Sequence, residues 1–144
     1  MTTVKIVVGV DGSEHAARAV KWCADHAGAL DAEVVAVHVL DLPLYAAPGI
    51  ALVPMPPPSA AQHDELLDVV QRDWCKPLAD AGVEFRALVT EGSPALVLSE
   101  VARHENAEMI VTGRRGRGGF SELVLGSTSH ALTHHADRPL VIVP

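Results

Sequence analysis

Aromatic residues make up only 3% of this 144-residue chain, cysteine occurs twice, and basic residues are outnumbered, 11 Lys and Arg against 18 Asp and Glu. Each shortage excludes something. With so few rings, the core must be built from Val, Leu, Ile and Ala, which suits helices packed on a parallel sheet. Cys23 and Cys75 lie far apart without Cys-x-x-Cys spacing, which removes a zinc ribbon and a thioredoxin-type motif and leaves free buried thiols as the expected state. A formal charge of −7 and a pI near 5.5 argue against nucleic acid or an anionic membrane as the general partner. The start of the chain has no basic segment, apolar helix and small-residue cleavage site, so the expected location is the cytoplasm. The uncharged stretch 42–62 is long enough to raise a membrane question, but Pro43, Pro48, Pro54, Pro56, Pro57 and Pro58 forbid a regular spanning helix, and the stretch reads as a loop. The length suits one domain, expected over 1–144, with the proline-rich loop 41–60 inside it.

What the chain does have is alternation. Valine-rich runs at 4–10, 33–39, 83–89, 107–112 and 140–143 read as strands. Between them lie helical patterns. Asp11-Gly12-Ser13 is the turn and N-cap of a first helix, with Ala16, Ala19, Val20, Cys23, Ala27 and Leu30 on its packing face. A second helix, about 61–81, carries Leu66, Leu67, Val70, Trp74 and Leu78 and is expected to break or bend near Pro77. Ser93-Pro94 starts a third helix, with Leu96, Val97, Val101 and Ala102 as its buried face, and a fourth runs from about 127 to 136. Five strands and four helices make an α/β fold, an open parallel sheet with helices on both faces.

The chemistry-bearing motif follows the fourth strand: Gly113-Arg114-Arg115-Gly116, nine residues, then Gly126-Ser127. Glycines let backbone N–H groups approach phosphate oxygens, and a helix N-terminus offers further unpaired N–H groups at the positive end of its dipole. Ser127, Thr128 and Ser129 add hydroxyls there, and Arg114, Arg115 and Arg117 concentrate cations in an acidic chain. A solvated surface loop is the plainer alternative. There is no Gly-Lys-Ser/Thr ending, so a P-loop is absent, and Gly116-Arg117-Gly118-Gly119 is not the dinucleotide fingerprint. Only Phe120 lies nearby for stacking, which makes an RNA clamp a poor reading. If strands one and four are neighbours, Asp11 faces the same crevice. There it either accepts hydrogen bonds from ribose hydroxyls or holds its own turn.

These elements together resemble the universal stress proteins of the ATP-binding type. The resemblance rests on Ile6-Val7-Val8-Gly9-Val10-Asp11-Gly12-Ser13, Val37-His38-Val39-Leu40-Asp41, Gly113-x-x-Gly116-x9-Gly126-Ser127 and Arg138-Pro139-Leu140-Val141-Ile142-Val143-Pro144, which span the chain. It implies a Rossmann-like sheet of the adenine-nucleotide alpha-hydrolase kind, strand order 3-2-1-4-5, with ATP between strands one and four. Carried over by position, Asp11 lies near ribose and adenine, Gly9 admits the nucleotide to strand one, and the Val39 backbone reads the adenine edge. Gly113, Gly116, Gly126 and Ser127 hold phosphates, with Arg114, Arg115, Arg117 and Thr128 as the further cofactor-binding candidates. Two departures stand out: the Arg-Arg pair, where small or polar residues are common, and the proline-rich segment.

The expected function is that of an ATP-binding, nucleotide-responsive regulatory homodimer, with Mg2+ held mainly through the phosphates and no catalytic or metal-ligating residues assigned. The protein partner is unknown. Two alternatives stay open: a slow ATPase or adenylyl-transferring enzyme, and a dimeric interaction protein that needs no nucleotide. Transfer chemistry lacks its His-x-Gly-His and Ser-Gly-Gly-x-Asp signatures. His130 and His134, four apart on a helix, supply at most half a zinc site. His38 reads as a packed strand histidine, Trp22 and Trp74 as packing residues, and Ser13, Ser93 and Ser127 as helix caps. The apolar run Leu140, Val141, Ile142 and Val143, read as an edge strand, is expected to pair with its copy in a second subunit, as similar proteins do.

Overall fold

The structure is a computed structural model that describes residues 3–41, 44–46, 52–54, 56–115 and 125–144, with the backbone alone for 44–46 and 52–54. In chain order its elements are β1 (Val4–Gly9), α1 (Glu14–Leu30), β2 (Ala32–Leu40), β3 (Leu44–Ala46), β4 (Leu52–Pro54), α2 (Ala60–Val69), a π-helical turn (Val70–Trp74), α3 (Lys76–Asp80), β5 (Phe85–Glu91), α4 (Pro94–His104), β6 (Met109–Gly113), α5 (Ser127–His135) and β7 (Leu140–Val143). The main sheet runs β5-β2-β1-β6-β7 with every pair parallel. Counting only these five strands, that is the expected order 3-2-1-4-5.

The strand runs are apolar without interruption because both faces of the sheet are covered. Side chains alternate between the faces. Ile6, Val8, Val34, Ala36 and Val111 point into the cluster under α1, α2 and α3, whereas Val7, Val35, Val37 and Ile110 meet α4 and α5. Helix α1 begins where the Ser13 hydroxyl accepts from Ala16 N–H at 3.1 Å, and it buries the expected Ala16, Ala19, Val20, Cys23 and Ala27. Leu30, its last residue, is exposed instead.

Three expectations need correction, and one is borne out in detail. The stretch read wholly as a loop contains an antiparallel pair, β3 with β4. Leu44-Tyr45-Ala46 and Leu52-Val53-Pro54 are short apolar runs able to pair, and Pro54 is tolerated because it ends its strand. The second helix is interrupted near Pro77, as expected: Cys75 N–H reaches back five residues to Val70 C=O at 2.9 Å, and Pro77 sits in the first turn of α3, where its missing N–H costs nothing. The third strand starts two residues late, because Val83 N–H is still engaged with Leu78 C=O at the end of α3. Helix α4 buries Ala95, Leu98, Ser99 and Ala102, one step out of phase with the expected face, and leaves Leu96 51% exposed.

Candidate functional site

From β1 the chain moves outward through β2 to β5 and then crosses to β6 on the other side of β1. That reversal leaves a crevice at the carboxyl ends of β1 and β6, where open α/β sheets bind ligands. Its volume is about 730 Å3. One end is walled by Val39, Leu40 and Asp41 of the β2 end, the floor by Gly9, Val10 and Asp11, and the other end by Arg115 and residues 125–129.

Most of the expected site residues meet there: Gly9, Asp11, Val39, Gly113, Arg115, Gly126, Ser127 and Thr128 all line the crevice. Arg114 adjoins it, with its N–H bonded to Val143 C=O and its C=O to Gly126 N–H, each at 2.9 Å. The first bond ties Arg114 to β7, and the second holds it against the residue that precedes α5. Gly116 and Arg117 lie outside the described residues.

The geometry assigns several of these residues a structural duty as well. An added Cβ on Gly113 would stand 2.4 Å from the His15 carbonyl oxygen, so this glycine lets the first turn of α1 lie against β6. At Gly9 the space a Cβ needs is bordered by Leu98 Cδ1 at 3.0 Å, which brings α4 to the floor of the crevice. Asp11 Oδ1 accepts from Ser13 N–H at 2.9 Å, so the turn-holding role is present, and the carboxylate also lines the crevice. Ser129 is committed inward: its hydroxyl donates to Gly113 C=O at 2.7 Å and meets the Thr112 hydroxyl at 3.3 Å. Ser127 is not a cap, because Gly126 holds that position and Ser127 is the first helical residue. Ser93 stands at the cap position of α4 without a side-chain cap bond.

Two features make the loop end suited to an anion. No side-chain cap bond is made at the start of α5 among the described residues, so its first N–H groups are left for a ligand or water. Arg115 is half-buried, and its Nε and Nη1 are shielded from solvent with no hydrogen-bond partner among the described residues. A buried donor without an acceptor costs about 1–3 kcal/mol, so an anion here resolves a standing deficit. The field is positive nearby too: burial, then the cations of Arg18, Arg115 and Arg114, hold His15 below its ordinary pKa against the opposing charge of Glu14. Arg18 Nη2 donates to His15 Nδ1 at 3.1 Å, which suits the neutral ring.

Other candidates fall into place as packing. His38 Nδ1 donates to Val10 C=O at 2.7 Å, and its ring meets Trp74 edge-on. Trp22 stacks on His26 at 4.2 Å. Cys23 and Cys75 are free and buried; burial pushes their thiols up to about 12 and about 11, with Cys75 adding to the rise at Cys23, so both are protonated and unreactive at neutral pH. His130 and His134 face each other at 5.0 Å, but among the described residues no three metal-binding side chains converge. Sequence reasoning did not single out Leu98, Pro94 or Thr112 as crevice residues. Only their spacing relative to the strand ends carried any signal.

A sequence model described as the Universal stress protein family matches residues 3–144. The chain belongs to the universal stress protein family. It is 31% identical over 151 aligned residues to a universal stress protein of Mycolicibacterium smegmatis, covering 99% of this chain and 48% of that protein. Against universal stress protein YxiE of Bacillus subtilis it is 29% identical, covering 96% and 97%. The chain therefore spans about half of the first relative and nearly all of the second. Among solved structures it superposes on a universal stress protein in complex with cAMP (TM-score 0.72, 20% identity, 99% and 98% covered). It also superposes on the Archaeoglobus fulgidus universal stress protein in complex with dAMP (TM-score 0.70, 20% identity, both chains covered in full). At that identity the likeness establishes the universal stress protein fold.

Proposed function

We propose that this universal stress protein binds an adenine nucleotide in the crevice, ATP with Mg2+ carried mainly on its phosphates. In this reading occupancy regulates the partners of a cytoplasmic homodimer. The observation that carries it is Arg115, whose buried Nε and Nη1 have no partner among the described residues and which lines the same crevice as the start of α5, likewise without a side-chain cap bond among them. Phosphate oxygens supply the missing acceptors, and charge-assisted bonds of this kind are about twice as strong as neutral ones. The cAMP and dAMP complexes of structurally similar proteins support adenine as the base. In this reading Gly9 and Asp11 lie beneath the nucleoside, Val39 meets the base, and Gly113, Arg114, Gly126, Ser127 and Thr128 surround the phosphates, with Gly116 and Arg117, outside the described residues, kept as proposed phosphate-binding residues from the motif alone.

Binding is preferred to turnover for a chemical reason. In-line attack on a terminal phosphate needs a side chain that orients water. On the crevice wall, Asp11 Oδ1 already holds Ser13 N–H, His38 Nδ1 already holds Val10 C=O, and Asp41 stands at the end opposite Arg115 and the start of α5, away from the proposed phosphates. Calorimetry with ATP, AMP and adenosine on wild type and Arg115→Gln tests the reading. ATP is expected to bind the variant about tenfold more weakly, about 1.4 kcal/mol, with adenosine unaffected. A wild type that ignores ATP, or ATP affinity equal in both proteins, overturns it.

A further inference from the structure

At the floor of the crevice the ladder between β1 and β2 ends in an unusual way. Val10 N–H donates to Val37 C=O at 2.9 Å, extending the pairing one residue beyond β1. In a parallel pair the next bond runs from Val39 N–H to Val10 C=O. Among the described residues that bond is not made; the Val10 carbonyl is taken by His38 Nδ1 at 2.7 Å. A carbonyl only accepts, so Nδ1 carries the proton.

Alternation along β2 says where the displaced group goes. Val34 N–H and Leu40 C=O bond on the β5 side, to Glu84 and Gly92, whereas Val37 C=O bonds toward β1. Val39 shares the parity of Val37, so its N–H and C=O are directed toward the gap that opens where β1 has ended, and Val39 lines the crevice. We propose that His38 is a positioning residue for base selection: by occupying the Val10 carbonyl, its imidazole keeps the Val39 peptide out of the sheet and free to pair with adenine. The inference rests on the adenine-nucleotide reading above. Adenine offers a ring-nitrogen acceptor beside an amino donor, complementary to the N–H and C=O of one extended residue, which point the same way. Hypoxanthine reverses both.

The same bond fixes Asp11. The Val10 carbonyl belongs to the planar peptide that leads into Asp11, so holding it orients the start of the Asp11-Gly12-Ser13 turn. His38 is itself held from behind. Trp74, the last residue of the π-helical turn, meets its ring at 5.1 Å and 81°, and lines a cleft of about 140 Å3 against Val10, Gly12 and Ser13.

Calorimetry with AMP and IMP on the full chain tests the proposal. Wild type is expected to prefer AMP by about tenfold or more, the scale set by leaving buried polar groups mispaired. In His38→Phe, which keeps a ring but loses the donor, Val39 N–H closes onto Val10 and the preference falls toward parity, while IMP affinity stays within about twofold. His38→Asn, whose amide nitrogen stands near the place of Nδ1, restores the preference. A purely structural role would weaken both ligands together and leave their ratio intact, so an unchanged ratio in His38→Phe overturns the proposal. A wild type that binds AMP and IMP alike also overturns the proposal, whereas one that binds neither overturns the nucleotide reading instead. Amide hydrogen exchange on wild type gives an arm that needs no variant: Val39 N–H exchanges rapidly in the free protein and is protected by AMP. Protection of Val39 equal to that of Val37 before any nucleotide is added rejects the mechanism.

Discussion

At the scale of the residue, a glycine can be read correctly for position and incompletely for cause. Gly113 was legible as the start of the phosphate loop, but the backbone 2.4 Å from its missing Cβ belongs to His15, almost a hundred residues away in the chain. Gly113→Ala is therefore expected to lose about 1–3 kcal/mol in urea unfolding by overpacking α1 against β6. Gly28→Ala, in open space near the end of α1, is expected to gain about 0.5–1 kcal/mol from helix propensity. Equal effects at the two sites would show that the close approach is not what selects glycine. Ser99 is a second case: it is 3% exposed and its hydroxyl has no partner among the described residues. Ser99→Ala removes an unsatisfied group and should stabilise by about 1 kcal/mol, read from the same unfolding curves. Arg115 was visible as a cation in a basic motif, but the burial of its Nε and Nη1 without a partner among the described residues is a tertiary fact that no spacing encodes.

At the scale of the element, helix α4 shows why periodicity can find a helix and miss its face. The apolar residues Leu96, Val97 and Val101 compete with a second stripe, Ala95, Leu98, Ser99 and Ala102, and packing on β1 and β2 chooses the stripe with the smaller residues. Those let the helix lie close enough for Leu98 to reach Gly9. The far end of the sheet is tied by charge. Lys5 and Arg86 both donate to Glu105 Oε2, at 3.0 and 2.7 Å, and Arg86 Nε also reaches Glu33 at 2.6 Å, joining the amino ends of β1, β2 and β5 to the end of α4. The hydrogen bond from Lys5, then that from Arg86, holds the Glu105 carboxyl below its ordinary pKa. A lowered carboxylate contributes stability that is present above its unfolded pKa and is lost as pH falls through the folded value. Arg86 is 45% exposed, so solvent screens its share. Glu105→Gln should cost about 1 kcal/mol at pH 7 and much less near pH 3, measured by urea unfolding at both pH values. An equal cost at the two would mean that charge is not what ties this end together.

At the scale of the molecule, the order of the strands was legible because alternating strand and helix patterns leave few right-handed ways to wind a parallel sheet. Whether one copy is the working unit turns on β7. It lies at the sheet edge beside β6, and Leu140, Val141, Ile142 and Val143 are all half-buried, although every one is apolar. The direction of its backbone groups sharpens the expected interface. Pro139 and Val143 turn their carbonyls toward β6, bonding Ile110 N–H and Arg114 N–H at 2.9 Å. By alternation, Leu140 and Ile142 present their N–H and C=O groups to the open edge, where an antiparallel copy of β7 would pair with them. Ile142→Pro removes one of those outward donors without touching the ladder to β6. Light scattering is expected to show a wild-type dimer and an Ile142→Pro monomer at the same concentration, with the variant still cooperatively folded in urea. A dimer that persists in Ile142→Pro places the two-fold contact on another surface, since proline at that position cannot complete an edge-to-edge ladder.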